Sequence, residues 1–551
     1  MPFDYFDKHS TPSDESITAQ CFPSREEILQ TLTRKRSFDV IVVGGGIHGA
    51  AFARSAAFNG LSTLLLERED YAFATSSRSS KMAHGGLRYL EMFDFKQVFE
   101  GIRAREDLFE TANHLVKPQE FFIPVMQNQA LFKAKLKVGL LLYDLLVRNK
   151  SRKHRWLSAS AIDAGMLQSD PTGLAGGFVY TDGIMRDTRL VIENIIAARQ
   201  EGAMCLNYAS FDSYAVLKNG KVDVGWTDKL SGTKYNMSAG IVVNCAGPWV
   251  PHTGRVRPSR LLERIRYSQG AHLLFDKAWK GPARFLPLGD KNRYYFVWPH
   301  FAGTLVGTTE TEISELERDP VPARDEVDRI LTRLKRDLPF SGLDRSSLFY
   351  CFAGIRTLPL RDNRKSVDQI SRQHVWSHSE GMLSLVGGKF TTAYNTVFDG
   401  LKMVFKLANL KHKPIGLFGR DLPGAGKQES KLLEFKEQAM GAGVAPELVA
   451  QVIERLGTRV ALLLEKESYL EPIGGTVLRG ELELAIDIEQ AEFLDDLLRR
   501  RLNLEEVPGY SLHAVSDILH VLKEKKPGIE HGEEEAKYHL RINTLKDIMG
   551  I

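Results

Sequence analysis

The clearest hydrophobic pattern in the chain is a β-branched run, Phe38-Asp39-Val40-Ile41-Val42-Val43, of the kind that forms a buried parallel strand. It breaks at Gly44-Gly45-Gly46-Ile47-His48-Gly49. An alanine-rich stretch over 50–59 then predicts a helix, ended by Gly60. A second apolar run, 63–66, stops at Glu67, which completes a β-turn-α-turn-β unit. Two later apolar runs end in small-residue turns as well. Residues 239–244 lead into Cys245-Ala246-Gly247-Pro248-Trp249, and 382–386 into Gly387-Gly388-Lys389-Phe390-Thr391-Thr392, where a further helix is expected to open. Ahead of the unit, 25–36 reads as a short helix, and 1–24 mixes Ser, Thr, Pro and Asp without periodicity, as a mobile tail does. Past Pro414 the pattern becomes charged and helical, and the Leu422-Pro423-Gly424-Ala425-Gly426 linker introduces what reads as a separate all-α domain over 414–551.

The first turn carries specific chemistry. Gly44, Gly46 and Gly49 fit G-x-G-x-x-G, with Ile47 in the same turn and an acid, Glu67, 23 positions after Gly44. In a strand–turn–helix context each glycine has a reason: the tight turn, the close approach of a pyrophosphate, and helix–strand packing. The helix N-terminus offers unpaired N–H groups to the phosphates, and Glu67 accepts from ribose hydroxyls. A nicotinamide enzyme needs no further glycine turns downstream. Here Ala246, Gly247 and Trp249 mark a second turn, and Gly388, Lys389, Phe390 and Thr391 a third. Three turns on distant strand ends suit one long ligand, which favours FAD over NAD.

Two loops after Glu67 add polar groups. Thr75, Ser76, Ser77, Ser80 and Lys81 form a Ser/Thr-rich loop whose donors suit a pyrophosphate, although its composition also fits a solvated loop. His84, Gly85 and Gly86 follow, and then Arg88 and Tyr89, a cation and a phenol suited to clamping an anion.

Composition narrows the partners. With 73 basic against 69 acidic residues, the net charge of +4 gives no argument for nucleic acid. The four cysteines contain no CxxC pair, so no metal or iron–sulfur centre is expected and flavin is the only redox group assigned. No leader-like segment is evident, and the longest uncharged stretch, 40–53, is short of the ~18–20 apolar residues of a spanning helix.

The ordered motifs VVGGGIHGA, ATSSRSSK, HGGLRYL, TDGIMRDTRL, VVNCAGPWV, VGTTET, FAGIRTLPL, ISR and VGGKFTT resemble those of the FAD-dependent, membrane-associated glycerol-3-phosphate dehydrogenases. The segments around 481–485 and 497–501 are similar to that family's helical cap. The resemblance implies a Rossmann-like α/β FAD domain (about 37–95, 175–255 and 350–413) interleaved with an α+β substrate domain (about 96–174 and 256–349). It implies oxidation of sn-glycerol 3-phosphate at C2, with electrons passed to a respiratory quinone from the inner face of the cell membrane. Arg88, Tyr89, Thr308, Thr309, Arg372 and Lys389 would line the substrate pocket, with His272 nearby. Either His272 as base or Arg356 as stabiliser of a developing alkoxide would serve catalysis, and both readings stay open. Thr357, Glu310, Met185 and Arg186 depart from the family pattern. An FAD-dependent amine or amino-acid oxidase, an oxygen-using glycerol-3-phosphate oxidase and an inert flavin-binding regulator are the rival readings.

One segment stands out for surface binding. Residues 131–156 combine apolar positions such as Leu131, Phe132, Leu136, 140–143 and 145–147 with a run of Lys and Arg, Asp144 as the single acid and Trp156 at the border. This reads as an amphipathic helix lying in an anionic membrane interface, or as a core helix with a solvated basic end. A homodimer also stays open.

Overall fold

A computed structural model describes residues 22–86, 95–162, 167–170, 172–255, 265–287, 294–360, 373–426, 428–509 and 512–551. Three expected substrate ligands, Arg88, Tyr89 and Arg372, lie outside the described residues, as does most of the expected N-terminal tail.

The predicted β-turn-α-turn-β unit is present, with strands Ser37–Val43 and Thr63–Leu66 around helix Ile47–Phe58. They belong to an eight-stranded sheet whose central path runs Val375–Ser379, Met382–Val386, Lys234–Asn244, Ser37–Val43, Thr63–Leu66, Met204–Leu206. The four central strands are parallel, with Val43 level with both Asn244 and Leu66, and Asn244 level with Ser384. All three small-residue turns therefore leave the same carboxyl edge, where open α/β sheets bind ligands. The alanine content of Ile47–Phe58 has a packing cause. This helix is squeezed against Asp187–Gln200 and Ala393–Leu407, and Ala50, Ala51, Ala53 and Ala56 are fully buried.

A second, ten-stranded sheet holds most of the expected substrate domain, but it also takes in Met82–Ala83, Leu174–Met185 and Leu348–Pro359, which the sequence reading assigned to the FAD domain. Leu174–Met185 pairs antiparallel along Val116–Met126, and Leu348–Pro359 along Ile265–Phe275. An apolar run announces a strand but not its partner, which is why the boundary moved. The two sheets meet where Leu348–Pro359 passes the turn ends of the first.

The region after 414 is helical as expected, apart from a small ribbon of Pro472–Ile473 with Val477–Leu478. It is not separate. Phe435, Val449 and Val452 share one core with Phe52 and Val404 under the first sheet, while Leu545 and Met549 join Leu334 and Tyr350 in the core of the second. A third core of its own surrounds Leu482, Leu498 and Ile518.

The expected helix over 131–156 is three elements: helix Ala130–Asp144, a 3-10 turn Lys150–Arg152 and strand Arg155–Ser158. Trp156 packs edge-on against Phe178 of the second sheet, ring centroids 4.8 Å apart, with the Lys133 ammonium 3.7 Å from its centre. The helix buries Leu140 and Tyr143 and exposes Leu131, Val138, Leu141 and, at its C-cap, Leu145. Among the described residues no helix is long and apolar enough to cross a membrane.

Candidate active site

A cavity of about 620 Å³ opens along the carboxyl edge of the first sheet and runs under the second. Its first wall is the glycine turn. Gly44 has φ +102°, and a Cβ there would stand 2.7 Å from the Cys245 carbonyl oxygen, so only glycine fits. Gly49 lies behind the wall, where a Cβ would come within 1.8 Å of the Gly44 oxygen. Gly46 and Ile47 line the cavity, and the Ile47 N–H is capped by Ser76 Oγ at 3.0 Å. At the end of Thr63–Leu66, the Glu67 carboxylate accepts from the N–H groups of Gly45 (2.6 Å) and Glu69 (2.8 Å).

Burial pushes the Glu67 carboxyl up to about 7, against the pull of those two N–H groups, with Glu69 and Asp70 adding to the rise. Ribose hydroxyls donate best to an ionised carboxylate, so binding of an adenosine there would release a proton. The sign follows: affinity for the dinucleotide rises with pH through about 7 and levels off above it. Titration of cofactor-free protein is expected to give about tenfold tighter binding at pH ~8 than at pH ~6, and Glu67→Gln should flatten that dependence. A flat wild-type profile would remove Glu67 from this role.

The Ser/Thr loop divides. Thr75, Ser76 and Ser80 face the cavity, but Ser77 turns its hydroxyl back to the Ala74 carbonyl at 3.0 Å. Lys81, expected on a pyrophosphate, is not in the wall. Its ammonium is buried between Asp187 and Glu506, 2.8 Å from each; burial alone would lower its pKa, but the two carboxylates outweigh it and hold the group above the ordinary lysine range. His84 lines the cavity, whereas Gly85 sits behind it, its N–H bonded to Asp182 Oδ1 at 3.0 Å and its Cα packed on Tyr143 and Ile102. Gly86 also lies outside the wall. Ala246, Gly247 and Trp249 from the second turn line it, as do Gly388, Lys389, Phe390 and Thr391 from the third. Gly387 and Gly388 both have positive φ, and the helix starts at Ala393, slightly later than expected.

The second sheet contributes the opposite wall through its register. Ser268 is level with Arg356, Gly270 with Gly354 and His272 with Phe352, so these alternate residues share one face. The glycine pair is needed: a Cβ on Gly270 would lie 2.3 Å from Arg356 Nη2, and one on Gly354 2.4 Å from the Arg78 carbonyl oxygen. Through that gap Arg356 reaches Thr308 Oγ1 at 2.8 Å. Thr308 and Thr309 are therefore not in the wall but behind it. Thr308 holds Arg356, and Thr309 accepts from the Ala271 N–H and donates to Glu326. The His272 ring stacks on Phe352 (4.9 Å, 9° between planes) with Nε2 2.9 Å from Ser80 Oγ. Burial, then Arg356 and Lys81, lower its pKa to about 3, so the imidazole is neutral. Lys389 Nζ reaches Gln97 Oε1 at 2.6 Å. Of the departures from the family pattern, Met185 and Thr357 line the cavity, while Arg186 turns away to Glu454 at 2.7 Å.

The wall also includes residues that the sequence reading passed over, notably His48, Phe211 and Arg318. His48 had a signal, its place inside the glycine turn. Arg318 had none, because its loop reads as ordinary charged surface.

Comparison with known proteins settles the family. A model of the FAD dependent oxidoreductases matches residues 39–394, which hold the glycine turns and most of both sheets. The chain belongs to the FAD-dependent oxidoreductases. Within them this flavoenzyme groups with glycerol-3-phosphate dehydrogenases: it is 31% identical to one from Synechocystis over 88% of this chain and 92% of that one. It is 28% identical to the aerobic glycerol-3-phosphate dehydrogenase of Staphylococcus aureus, over 94% and 96% of the two chains. Its fold matches the glycerol-3-phosphate dehydrogenase of Bacillus halodurans solved with FAD, with TM-score 0.74, 23% identity and coverage of 95% and 97%. FAD is the cofactor, and the residues present fit it: a glycine turn packed too closely on the Cys245 carbonyl to admit a Cβ, an acid at the end of the strand that follows, and a cavity lined from both sheets.

Proposed function

We propose that this flavoenzyme oxidises sn-glycerol 3-phosphate to dihydroxyacetone phosphate and passes the electrons to a quinone at a membrane surface. The observation that carries the first part is the meeting of Arg356, His272 and Lys389 in one cavity wall beyond the glycine turns. FAD, when bound, supplies the acceptor for the hydride leaving C2. Lys389 offers positive charge to a substrate phosphate, and neutral His272 presents Nε2, with Ser80, to the C2 hydroxyl proton. Arg356 donates to the oxygen as negative charge develops on it. An amine oxidase would have little use for so cationic a wall.

The helix Ala130–Asp144 supports the second part. Leu131, Val138, Leu141 and Leu145 are exposed, 51–78% each, at helical spacing, and Lys135, Lys137, Lys150 and Lys153 stand exposed around them. An apolar stripe ringed by cations suits an anionic lipid interface. One experiment tests both parts. Anaerobic mixing with glycerol 3-phosphate is expected to bleach the flavin band, and anionic vesicles holding quinone should restore it faster than air-saturated buffer does. Charge reversal at Lys135, Lys137, Lys150 and Lys153 should abolish the vesicle effect and leave the bleaching intact. No bleaching sinks the substrate; recovery that is as fast in air sinks the quinone.

A further inference from the structure

Segment 314–323 is an irregular strap between strand Thr311–Ile313 and helix Arg324–Asp337 of the second sheet, yet it crosses to the loop that follows Glu67 in the first. Two of its residues make that crossing. Arg318, 61% exposed, lines the cofactor cavity and pairs with Glu69, whose carboxylate also holds Lys229 at 2.8 Å. Asp319 binds Arg78 of the Ser/Thr loop on one side and on the other takes both Nη atoms of Arg499 from the C-terminal region, at 3.0 and 3.1 Å. Between them the Phe73 ring, itself part of the wall, is ringed by three guanidiniums: Arg78, Arg318 and Arg500, each 5.6–5.7 Å from its centre.

Asp319 and Arg318 differ in how firmly they are held. Asp319 is fixed by several cations against the C-terminal region, and its partners Arg78 and Arg499 are almost fully buried. Among the described residues Arg318 has one ion pair, and although Glu69 is nearly buried the Arg318 guanidinium is exposed, so water and salt reach the pair. The strap is thus pinned at Asp319 and loose at Arg318. The loose residue stands over the end of the cavity lined by Glu67, Glu69, Ala209 and Phe211, where the dinucleotide-binding fold places an adenosine.

We propose that the strap 314–323 is a latch over the adenosine end of the FAD cavity, closed by Arg318 on Glu69 and anchored through Asp319 to Arg499. FAD exchanges when the Arg318–Glu69 pair opens, and the C-terminal region sets the position from which the latch closes. This rests on the FAD assignment of the cavity.

A latch slows passage in both directions, whereas a simple ligand slows release alone. The test is FAD exchange, followed by the fluorescence of the freed cofactor on dilution of the holoenzyme and by its quenching on mixing with the cofactor-free protein. Arg318→Ala, at an exposed position, is expected to raise both the release and the rebinding rate about three- to fivefold. Arg318→Glu should raise both about tenfold, since it repels Glu69. Salt at ~1 M, where the screening length is ~3 Å, should speed exchange of the wild type and leave Arg318→Ala unchanged. Rates within twofold of wild type in both variants would overturn the latch. So would faster release with unaltered rebinding, which would make Arg318 a ligand only. Wild-type protein that takes up no FAD would overturn the cofactor assignment first, and is distinguished by the missing flavin spectrum.

Discussion

Arg356→Ala is expected to slow flavin reduction by glycerol 3-phosphate about 10²–10³-fold, with a much smaller change in KM. Arg356 is held before substrate arrives. Its guanidinium bonds Thr308 Oγ1 at 2.8 Å and reaches Ser268 Oγ and the Thr309 carbonyl at 3.4 Å, through the opening left by Gly270. A donor fixed this way needs no reorganisation as charge builds on the substrate oxygen, which is why its loss falls on kcat. Arg356→Lys should recover only part, because one ammonium cannot span the same partners. Stopped-flow flavin bleaching under nitrogen measures the effect. A loss confined to KM would move Arg356 from the reacting oxygen to the phosphate. His272 gives a contrasting expectation. With its pKa lowered to about 3 by burial, Arg356 and Lys81, it stays neutral above pH ~5. A rise in kcat/KM centred near pH ~6.5 would therefore belong to another group.

What the sequence disclosed follows the reach of each interaction. The glycine turn was legible because its requirements are local: a strand end, a tight turn and a helix start lie within a dozen residues. The three strand-end turns could be found singly, and their common edge followed once the strands were parallel. Lys81 shows the opposite case. Its motif suggested a phosphate ligand, but Asp187 and Glu506, distant in the chain, neutralise it. Thr308 and Thr309 are expected in the wall and stand behind it, because only the register between Ile265–Phe275 and Leu348–Pro359 decides which layer faces inward. The C-terminal region read as separate because the Pro-Gly linker is local and its bonds to the two sheets are not. Arg499, Arg500 and Arg501 form a basic run that composition would place in solvent. In the fold a π-helical turn sends Arg499 to Asp319 and the other two to Asp70.

That last contact sets the second large expectation: Asp70→Asn should destabilise the protein by about 3–5 kcal/mol, enough to lower the apparent melting temperature clearly and to cost it much of its FAD. Asp70 is fully buried, and its carboxylate takes Arg500 Nε at 2.6 Å, both Nη atoms of Arg501 at 2.8 Å and Asn207 Nδ2 at 2.9 Å. The amide keeps the shape but leaves two buried guanidiniums short of a counter-charge. It does so in the loop that carries the cofactor wall from Glu67 to Ser80. Asp496 limits the damage: burial and then Asp70 hold its pKa above the usual carboxylate range, so without Asp70 it ionises more readily and takes up part of the arginine charge. The cost should therefore fall toward the lower end of the range. Burial alone would raise the Asp70 pKa, but Arg501 and Arg500 outweigh it and hold the carboxyl below its ordinary value. A lowered carboxyl contributes stability that is present above its unfolded pKa of ~3.9 and lost as pH falls through the folded one. Wild-type stability should thus fall on acidification below about pH 4, and the Asn variant should lose less over the same interval. Thermal melts of both proteins from neutral to acid pH decide it. Parallel acid profiles would mean that Asp70 does not carry the charge that joins the C-terminal region to the cofactor wall.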